Sequence, residues 1–567
     1  MVKPKPRLVV SSLLALTVTG STALVTMGAA VHGGGGLGSA VPEQLAPASS
    51  SIYVGLDRTV GGQGTALGAL VNTYLAHPGT SAIPAGLHAA LGPMGNQAIN
   101  TLFSVGGNRI GLSVWTPPAA NPSVPARFAL IAQLKAASIS TAATGGNPLR
   151  GLVSFSSPMP YNGATIYRIT FSGGAGSPQG YGAIVSGDGV LASDLTAIER
   201  VVDTATFRAP SLLNDPNFTA ATGSLPAPRA LTVYASQALV KQGVQALLGA
   251  TATSGAAAAL PAQTRQYLTR IGGRGYALGF VAQPRGLSIV TSSVPALNAN
   301  ALSPDPNALA NVVGNNALYY ASQNNLARQF LGAGTLTPAM LAQLKAQTGI
   351  DIMRDVVPLF SGETAINLND EVSPLVQRLL GSAAGGATIG TVPGSIEIVT
   401  QVADVNAANA ALQRIATAVL RSASGGAGAG VPVVKTPRGD GGFIYSFAAL
   451  PGLEYTFRGN TLILSTSLAA DLQAAGTPLA ADAGFQTGLV NAAGPGTLVS
   501  VQYLNVTRLL RFVDRIVQVT RTGGATVMGA TSLRQAEAYI APFSGVTSEV
   551  RAIGPLDEQL RTFIAVQ

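Results

Sequence analysis

Side chains that commonly bind metals are scarce in this chain, which has three histidines and no cysteine among 567 residues. His77 and His88 flank a Pro/Gly loop and His32 lies in a glycine-rich stretch, without an HExxH pattern or a His pair at helical spacing. We therefore expect loop histidines at the surface, with no metal site and no cofactor. The lack of cysteine also excludes disulfides, iron–sulfur clusters and thiol catalysis.

Carboxylates are the remaining candidates for acid–base chemistry, because the GxSxG, SxxK and GxxxxGK signatures are absent from the sequence. Two acids could still converge from distant positions, as in enzymes that use a carboxyl pair. The acids considered are Asp351, Asp355, Glu363, Asp370 and Glu371. Arg354 lies between Asp351 and Asp355, and this spacing favours a solvated helix face. The sequence identifies no catalytic residue.

Three arginines form the sharpest basic feature of the chain. Arg508, Arg511 and Arg515 fall at i, i+3 and i+7 of a helix predicted over residues 505–519, opposite an apolar side. This face either contacts an anionic surface, such as lipid headgroups or an acidic envelope polymer, or is the wet side of an amphipathic helix, partly paired with Asp514. The overall charge of +9 is otherwise dilute, since only 10% of residues are charged, and nucleic acid is not an expected partner.

Four short strand patterns surround a tyrosine and are followed by a helix-capping residue and a helical stretch. The tyrosines are Tyr53, Tyr234, Tyr320 and Tyr503. Their spacing is 181 residues in the first pair and 183 in the second, from the differences in residue number. Because all four share one local pattern, we expect them to pack in the core rather than stack on a ligand.

Further segments recur at offsets of 257 to 272 residues and predict two homologous tandem halves. The matched segments are 213–218 with 480–485, 187–189 with 459–461, and 102–104 with 359–361. The predicted organisation is residues 1–30 as a signal peptide or anchor, 31–48 as a flexible linker, 49–294 as the first half, 295–311 as a connector and 312–567 as the second half.

The fold class predicted for each half is α+β, with an antiparallel sheet and amphipathic helices packed on one face. Residues 395–403 alternate as a strand, Asp404 is an expected N-cap, and residues 405–421 place apolar side chains at helical spacing. Residues 443–465 indicate further strands separated by turns at residues 451–452 and 459–460. A helix stripe and a sheet face each need an apolar partner, which favours this layered arrangement.

The N-terminus predicts export across the inner membrane. Lys3, Lys5 and Arg7 precede residues 8–30, which carry no charge and are moderately apolar. A cleaved signal peptide and an uncleaved transmembrane anchor both fit this segment, and either places the remaining chain outside the cytoplasm. The membrane is thus an expected partner if the segment is not removed.

The segments PLFSGETAINLN (358–369), IVTQVADVNAANAALQRI (398–415) and RGNTLILSTSLAADL (458–472), together with the tyrosine strands, resemble a bacterial family catalogued as domain of unknown function 3352. The resemblance covers nearly the whole chain after residue 45. It implies an exported or membrane-anchored bacterial protein and supplies no catalytic residues.

The sequence thus favours a non-enzymatic protein of the cell envelope, exported or membrane-tethered, that acts as a binding or structural module. An envelope protein or a lipid is the expected partner. One alternative is a carrier or scaffold for a hydrophobic ligand such as lipid, because small residues leave room for an apolar cavity. A second is a hydrolase with unrecognised carboxylates, which requires two acids within about 10 Å of each other.

Overall fold

The computed structural model describes residues 41–76, 106–116, 126–134, 153–171, 179–253, 262–296, 302–332, 338–370, 373, 394–423, 433–447, 452–522, 537 and 540–567. It is a mixed α and β structure with antiparallel strands. The chain divides into two compact units, residues 1–260 with 266–294 and residues 261–265 with 295–567.

The first unit contains ten described strands, each antiparallel to its neighbours. They are β1 (Ile52–Asp57), β2 (Gly106–Trp115), β3 (Arg127–Leu134), β4 (Val153–Tyr161), β5 (Ala164–Phe171), β6 (Gln179–Val185), β7 (Asp188–Ala192), β8 (Leu231–Ala235), β9 (Tyr276–Gln283) and β10 (Gly286–Thr291). Their order across the unit is β4-β5-β6-β7-β3-β2-β1-β8-β9-β10. A two-residue extended segment, Val294–Pro295, follows them.

The second unit also has ten such strands in its described part. They are β11 (Ala317–Asn324), β12 (Glu363–Asn369), β13 (Ser395–Gln401), β14 (Val433–Pro437), β15 (Phe443–Phe447), β16 (Glu454–Arg458), β17 (Thr461–Ser465), β18 (Thr497–Asn505), β19 (Phe543–Ala552) and β20 (Asp557–Val566). Their order is β14-β15-β16-β17-β13-β12-β11-β18-β19-β20. Adding ten to each strand number of the first unit therefore gives the order in the second.

Helices occur at similar places in the two series of strands. The first series carries α1 (Pro42–Leu45), α2 (Gln63–Ala76), α3 (Leu195–Ala205), α4 (Pro216–Gly223), α5 (Gln237–Thr253) and α6 (Ala262–Gly272). The second carries α7 (Leu326–Gly332), α8 (Pro338–Thr348), α9 (Val405–Ala423), α10 (Leu468–Ala474), α11 (Ala483–Ala492) and α12 (Val506–Thr522). Short 3₁₀ helices span Val60–Gly62, Leu212–Asn214, Ala308–Asn311, Val357–Phe360 and Leu479–Ala481, and a π-helical turn spans Ile352–Val356.

Several local predictions are confirmed. The strand expected over 395–403 is β13, and the helix expected over 405–421 is α9, whose Asn406 and Ala407 amides donate to the Asp404 carboxylate at 2.8 and 3.1 Å. The turns at 187–189 and 459–461 join β6 to β7 and β16 to β17. Residues 102–104 lie outside the described residues.

Each unit has an aromatic cluster at the centre of its core. Tyr53 pairs across strands with Tyr234, and Phe218 of α4 meets both rings edge-on at centroid distances of 6.0 and 5.0 Å. In the second unit the members are Tyr320, Tyr503 and Phe485 of α11, with corresponding distances of 5.8 and 5.3 Å. All four tyrosines are at most 2% exposed, so their predicted packing in the core is confirmed.

The phenylalanines are positioned by capped helices. Asp215 accepts from the Asn217 amide at the start of α4, and its other oxygen accepts from the Tyr234 hydroxyl at 3.0 Å. Asp482 accepts from the Phe485 amide at the start of α11 and from the Tyr503 hydroxyl at 3.4 Å. One aspartate thus both caps a helix and satisfies a buried hydroxyl in each unit.

Two predicted linkers are partly built into the units. The linker expected over 31–48 is wrong for residues 41–48, because α1 places Leu45 in the first core at 3% exposure. The connector expected over 295–311 ends in the 3₁₀ helix Ala308–Asn311, whose Leu309 lies in the second core at 1% exposure. An apolar residue in each segment finds a buried partner, which composition alone does not reveal.

The expectation of helices on a single sheet face is wrong for the second unit. Phe485 of α11 packs on the face that carries Tyr320, whereas Arg515 of α12 reaches Asp370, which continues the opposite row of β12 side chains. Antiparallel partners share a face and successive residues alternate, so α11 and α12 lie on opposite faces. The reason is that Asp370 and Gly394, at the ends of β12 and β13, meet Arg515 and Phe512 of α12. We call the Tyr320 face the inner face and the other the outer face.

Candidate functional site

A cluster of buried polar side chains lies on the inner face of the second unit. Its members are Asn367 and Asn369 of β12, Ser395 and Glu397 of β13, Ser465 of β17 and Asp471 of α10, and we call them the polar cluster. Each is at most 2% exposed. Buried carboxyl groups and amides are uncommon in protein cores and mark candidate functional sites.

Strand register brings the polar cluster together. Asn369 lies opposite Ser395, and Asn367 lies opposite Glu397. Glu397 in turn lies opposite Ser465 on the next strand. After β17 the chain enters α10, whose fourth residue is Asp471. The Asp471 carboxylate points back to the inner face and contacts Ser465.

Hydrogen bonds fix the Asp471 carboxylate from two sides. The Asn369 amide nitrogen donates to Oδ1 at 2.6 Å, and the Ser465 hydroxyl donates to Oδ2. Ser395 donates to the Asn369 side-chain oxygen, and the Ser467 backbone amide donates to Ser465 Oγ at 2.8 Å. These donors match an ionised carboxylate, which accepts hydrogen bonds and donates none.

Glu397 is held differently. The Asn367 amide nitrogen donates to its Oε2 at 2.9 Å. Burial, followed by the nearby Asp471 charge, raises the pKa of Glu397 from 4.5 to about 8, against the opposing effects of Asn367 and the Arg458 charge. The two neighbouring buried acids therefore disfavour carrying two negative charges at once, as expected when acids share a buried site.

The first unit is apolar at three of the corresponding places. Following the register from the tyrosine pair, Glu397 corresponds to Ala129, Ser465 to Ala192 and Asp471 to Ile198, which is the fourth residue of α3. These three are at most 4% exposed. The same route pairs Asn367 with Ser113 and Asn369 with Trp115.

Enclosure limits what the polar cluster can do chemically. A general acid or base must come within hydrogen-bond reach of a substrate. Glu397 and Asp471 are each 2% exposed, so the described arrangement gives a dissolved substrate no direct approach. The pair is suited to binding a proton inside the core, which links the stability of this region to pH.

The acids considered from the sequence do not assemble into one site. Asp355 is 1% exposed and accepts from Arg354 and Arg414 at 2.8 Å each, so the predicted solvated face is wrong for it; these partners hold its pKa well below the usual range. Asp351 pairs with Lys345 at 2.8 Å.

The other acids from that set have structural partners. Glu363 accepts from the Ala308 and Leu309 amides and from Ser322, and so caps the 3₁₀ helix Ala308–Asn311. Asp370 pairs with Arg515 at 3.1 Å. Glu371 lies outside the described residues.

The three predicted arginines lie on α12 in different settings. Arg515 pairs with Asp370 across the outer face, and no ion pair with Asp514 occurs among the described residues. Arg511 is exposed. Arg508 is half-buried, and its backbone amide is capped by the Asn505 side chain at 3.0 Å. One of the three arginines, Arg515, is therefore paired with a residue at the end of a sheet strand.

The residues on which the metal and membrane predictions depend lie outside the described part of the chain. His32, His77 and His88 lie outside the described residues, and within those residues no group of three or more metal-binding side chains occurs. Residues 1–40, which hold the predicted export segment, also lie outside the described residues. Among the helices that are described, none has the length and hydropathy required to cross a bilayer.

The sequence reasoning missed Glu397 and Asp471. A signal was present in β13, where Ser395 and Glu397 alternate with Ile396 and Ile398. Alternation predicts that one set is buried but leaves open which one, and the usual assignment puts the isoleucines inside. Here the polar set is inside.

Comparison with known proteins gives one family. The family model described as "Protein of unknown function (DUF3352)" matches residues 156–419, which include the β12 and β13 members of the polar cluster. The segments 358–369 and 398–415 that carried the sequence resemblance lie within this match, so the resemblance is confirmed. No curated protein and no solved structure matches the chain.

Proposed function

We propose that the chain, a member of the DUF3352 family of proteins of unknown function, is a non-enzymatic binding or structural module of the cell envelope. The charged and apolar residues 1–30 support export, with either signal cleavage or retention as an anchor. We also propose that the two units are tandem copies of one module. Their shared strand order and their equivalent Tyr–Phe–Tyr clusters support this duplication.

The enclosure of Glu397 and Asp471 is the observation that carries the non-enzymatic proposal. Acid–base catalysts with shifted pKa values normally line a cleft. This pair is instead sealed between β13, β17 and α10, with hydrogen-bond donors already directed at Asp471. A framework role needs no access to these groups.

The test is an assay for turnover by the purified full-length protein. Peptidoglycan fragments, envelope polysaccharides and ester-linked lipids are incubated with it, and products are analysed by mass spectrometry. We expect no product above a heat-denatured control. Turnover that Glu397→Gln abolishes, while the protein stays folded by circular dichroism, would overturn the proposal in favour of a carboxylate hydrolase.

Export has its own test. The protein is expressed in a bacterial host and recovered from cytoplasmic, membrane and external fractions. We expect it outside the cytoplasm, with an intact mass that shows whether residues 1–30 remain. Recovery from the cytoplasmic fraction alone would contradict the envelope assignment.

A carrier of hydrophobic ligands is the second candidate, favoured by exposed Ile366, Leu368 and Ile396 on the outer face. Organic extraction of the purified protein followed by mass spectrometry distinguishes the carrier from the binding or structural module. A stoichiometric co-purified lipid would support the carrier, and its absence would leave the binding or structural module.

A further inference from the structure

Three aliphatic side chains are exposed on the outer face of the second unit. Ile366 and Leu368 of β12 and Ile396 of β13 are 39%, 38% and 45% exposed, and Leu368 lies directly opposite Ile396. We call these three residues the apolar strip. They alternate with the buried members of the polar cluster, so the strand faces are reversed relative to the usual apolar-in, polar-out pattern.

Helix α12 borders the apolar strip with arginines. Asp370 follows Leu368 by two residues and pairs with Arg515. A Cβ built on Gly394, two residues before Ile396, would lie 3.5 Å from the Phe512 ring. Arg511 and Arg508 lie one and two turns before Arg515 on α12. The basic side of the helix therefore runs along the same end of the apolar strip.

The first unit has an apolar residue at a matching place but lacks arginine at the three equivalent helix positions. Phe128 of β3 corresponds to Ile396 by register, and it is 46% exposed. Helix α5 begins three residues after Tyr234, as α12 begins three residues after Tyr503. Counted from these tyrosines, Leu239, Gln242 and Ala246 stand where the second unit has its three arginines.

We propose that the apolar strip and Arg511, with Arg508 beside it, form a docking surface for an anionic lipid bilayer. The inference rests on the proposed function, because it names the partner of a non-enzymatic envelope module. Aliphatic side chains gain free energy on leaving water, and each arginine near an anionic surface adds attraction that salt weakens. Arg515 already pairs with Asp370 and is therefore left out of this surface.

The absence of native cysteine allows one label to be placed on each unit of the full chain. Ile396→Cys and Phe128→Cys carry a nitroxide spin label at corresponding and nearly equally exposed positions. Each labelled protein is mixed with phosphatidylcholine vesicles, with or without phosphatidylglycerol. The measurement is the collision rate of the label with oxygen relative to a water-soluble nickel chelate, which rises when the label enters a bilayer.

We expect this ratio to rise for the label at 396 with anionic vesicles, and to stay unchanged with neutral vesicles and for the label at 128. Arg508→Ser/Arg511→Ser in the 396-labelled protein should abolish the rise, while the exposed Arg285→Ser control keeps it. Binding through residues 1–30 alone would not depend on these arginines.

No response at 396 overturns the docking surface, as does an equal response at 128. A response at 396 to monomeric fatty acid, with the same arginine dependence and without vesicles, overturns the bilayer as the source and assigns a single lipid instead. The proposed function fails separately, through turnover, whichever result the spin labels give.

Discussion

The two units place side chains of opposite polarity at equivalent buried positions. Where the first unit packs Ala129, Ala192 and Ile198, the second encloses Glu397, Ser465 and Asp471. The ten-strand order is unaltered by this exchange. The strand order therefore does not require polar side chains at this position, and burying two acids there costs free energy that their hydrogen bonds must offset.

Local support explains how the second unit accommodates the exchange. Asp471 has donors in Asn369 and Ser465, whereas a carboxylate placed at Ile198 would meet the side chains of the first core, including Ala129 and Val190. The two sites therefore differ in a whole set of hydrogen-bonded side chains and not in one residue. Four predictions test the differences between the two units.

The largest expected effect is that of Ile198→Asp. It buries a carboxyl group without donors, and we expect a loss of about 5 kcal/mol or more in the free energy of unfolding. Urea denaturation followed by circular dichroism measures it. Ile198→Val is the control, expected to cost about 1 kcal/mol. A loss below that of the control would show that the first unit can host an acid unaided.

The pH dependence set by Glu397 is next. Its pKa is 4.5 in the unfolded chain and about 8 when folded. Below pH 4.5 both the unfolded and the folded chain hold the proton on Glu397. As the pH rises from 4.5 to about 8, only the folded chain keeps it. The free energy of unfolding should fall by up to about 1.4 kcal/mol per pH unit.

Glu397→Gln should flatten this slope, and Glu454→Gln, at a half-buried strand position, should leave it unchanged. Denaturation series at pH 4.5, 6 and 8 provide the measurement. Equal slopes in the wild type and Glu397→Gln would mean that Glu397 is ionised in the folded protein.

Asp188 of the first unit should give a narrower effect of the same sign. Both of its carboxylate oxygens are buried without a hydrogen-bond partner in the described structure, and burial raises its pKa from 3.8 to about 6 despite the Arg109 charge. Stability should thus be lost as pH rises from 3.8 to 6. Asp188→Asn should remove that loss, measured by calorimetry across the window. A persistent slope in the variant would assign it to other groups.

The smallest effects come from the tyrosine hydroxyls. Tyr234→Phe removes a 3.0 Å hydrogen bond to Asp215, and Tyr503→Phe removes a 3.4 Å one to Asp482. We expect losses of about 1 and 0.5 kcal/mol respectively, since longer bonds contribute less. Thermal unfolding of the two variants in parallel checks the order. A larger loss for Tyr503→Phe would break the equivalence of the clusters.

Local chemistry made much of the framework predictable. Asp404 and α9, the four tyrosines and the β16–β17 turn follow from capping, strand propensity and turn residues that are close in sequence. Asp355 was predicted wrongly because its partner Arg414 is 59 residues away. The polar cluster joins positions as far apart as 102 residues, so only the strand order reveals it.

The single tryptophan of the chain, Trp115, occupies the place where the second unit has Asn369. It is 6% exposed, its indole nitrogen donates to Ser49 at 3.2 Å, and the Arg200 guanidinium lies 5.5 Å from the ring centre. Intrinsic emission excited at the indole band therefore reports the first unit alone. An indole signal that melts apart from the backbone signal would expose two independent cooperative units without any engineered probe.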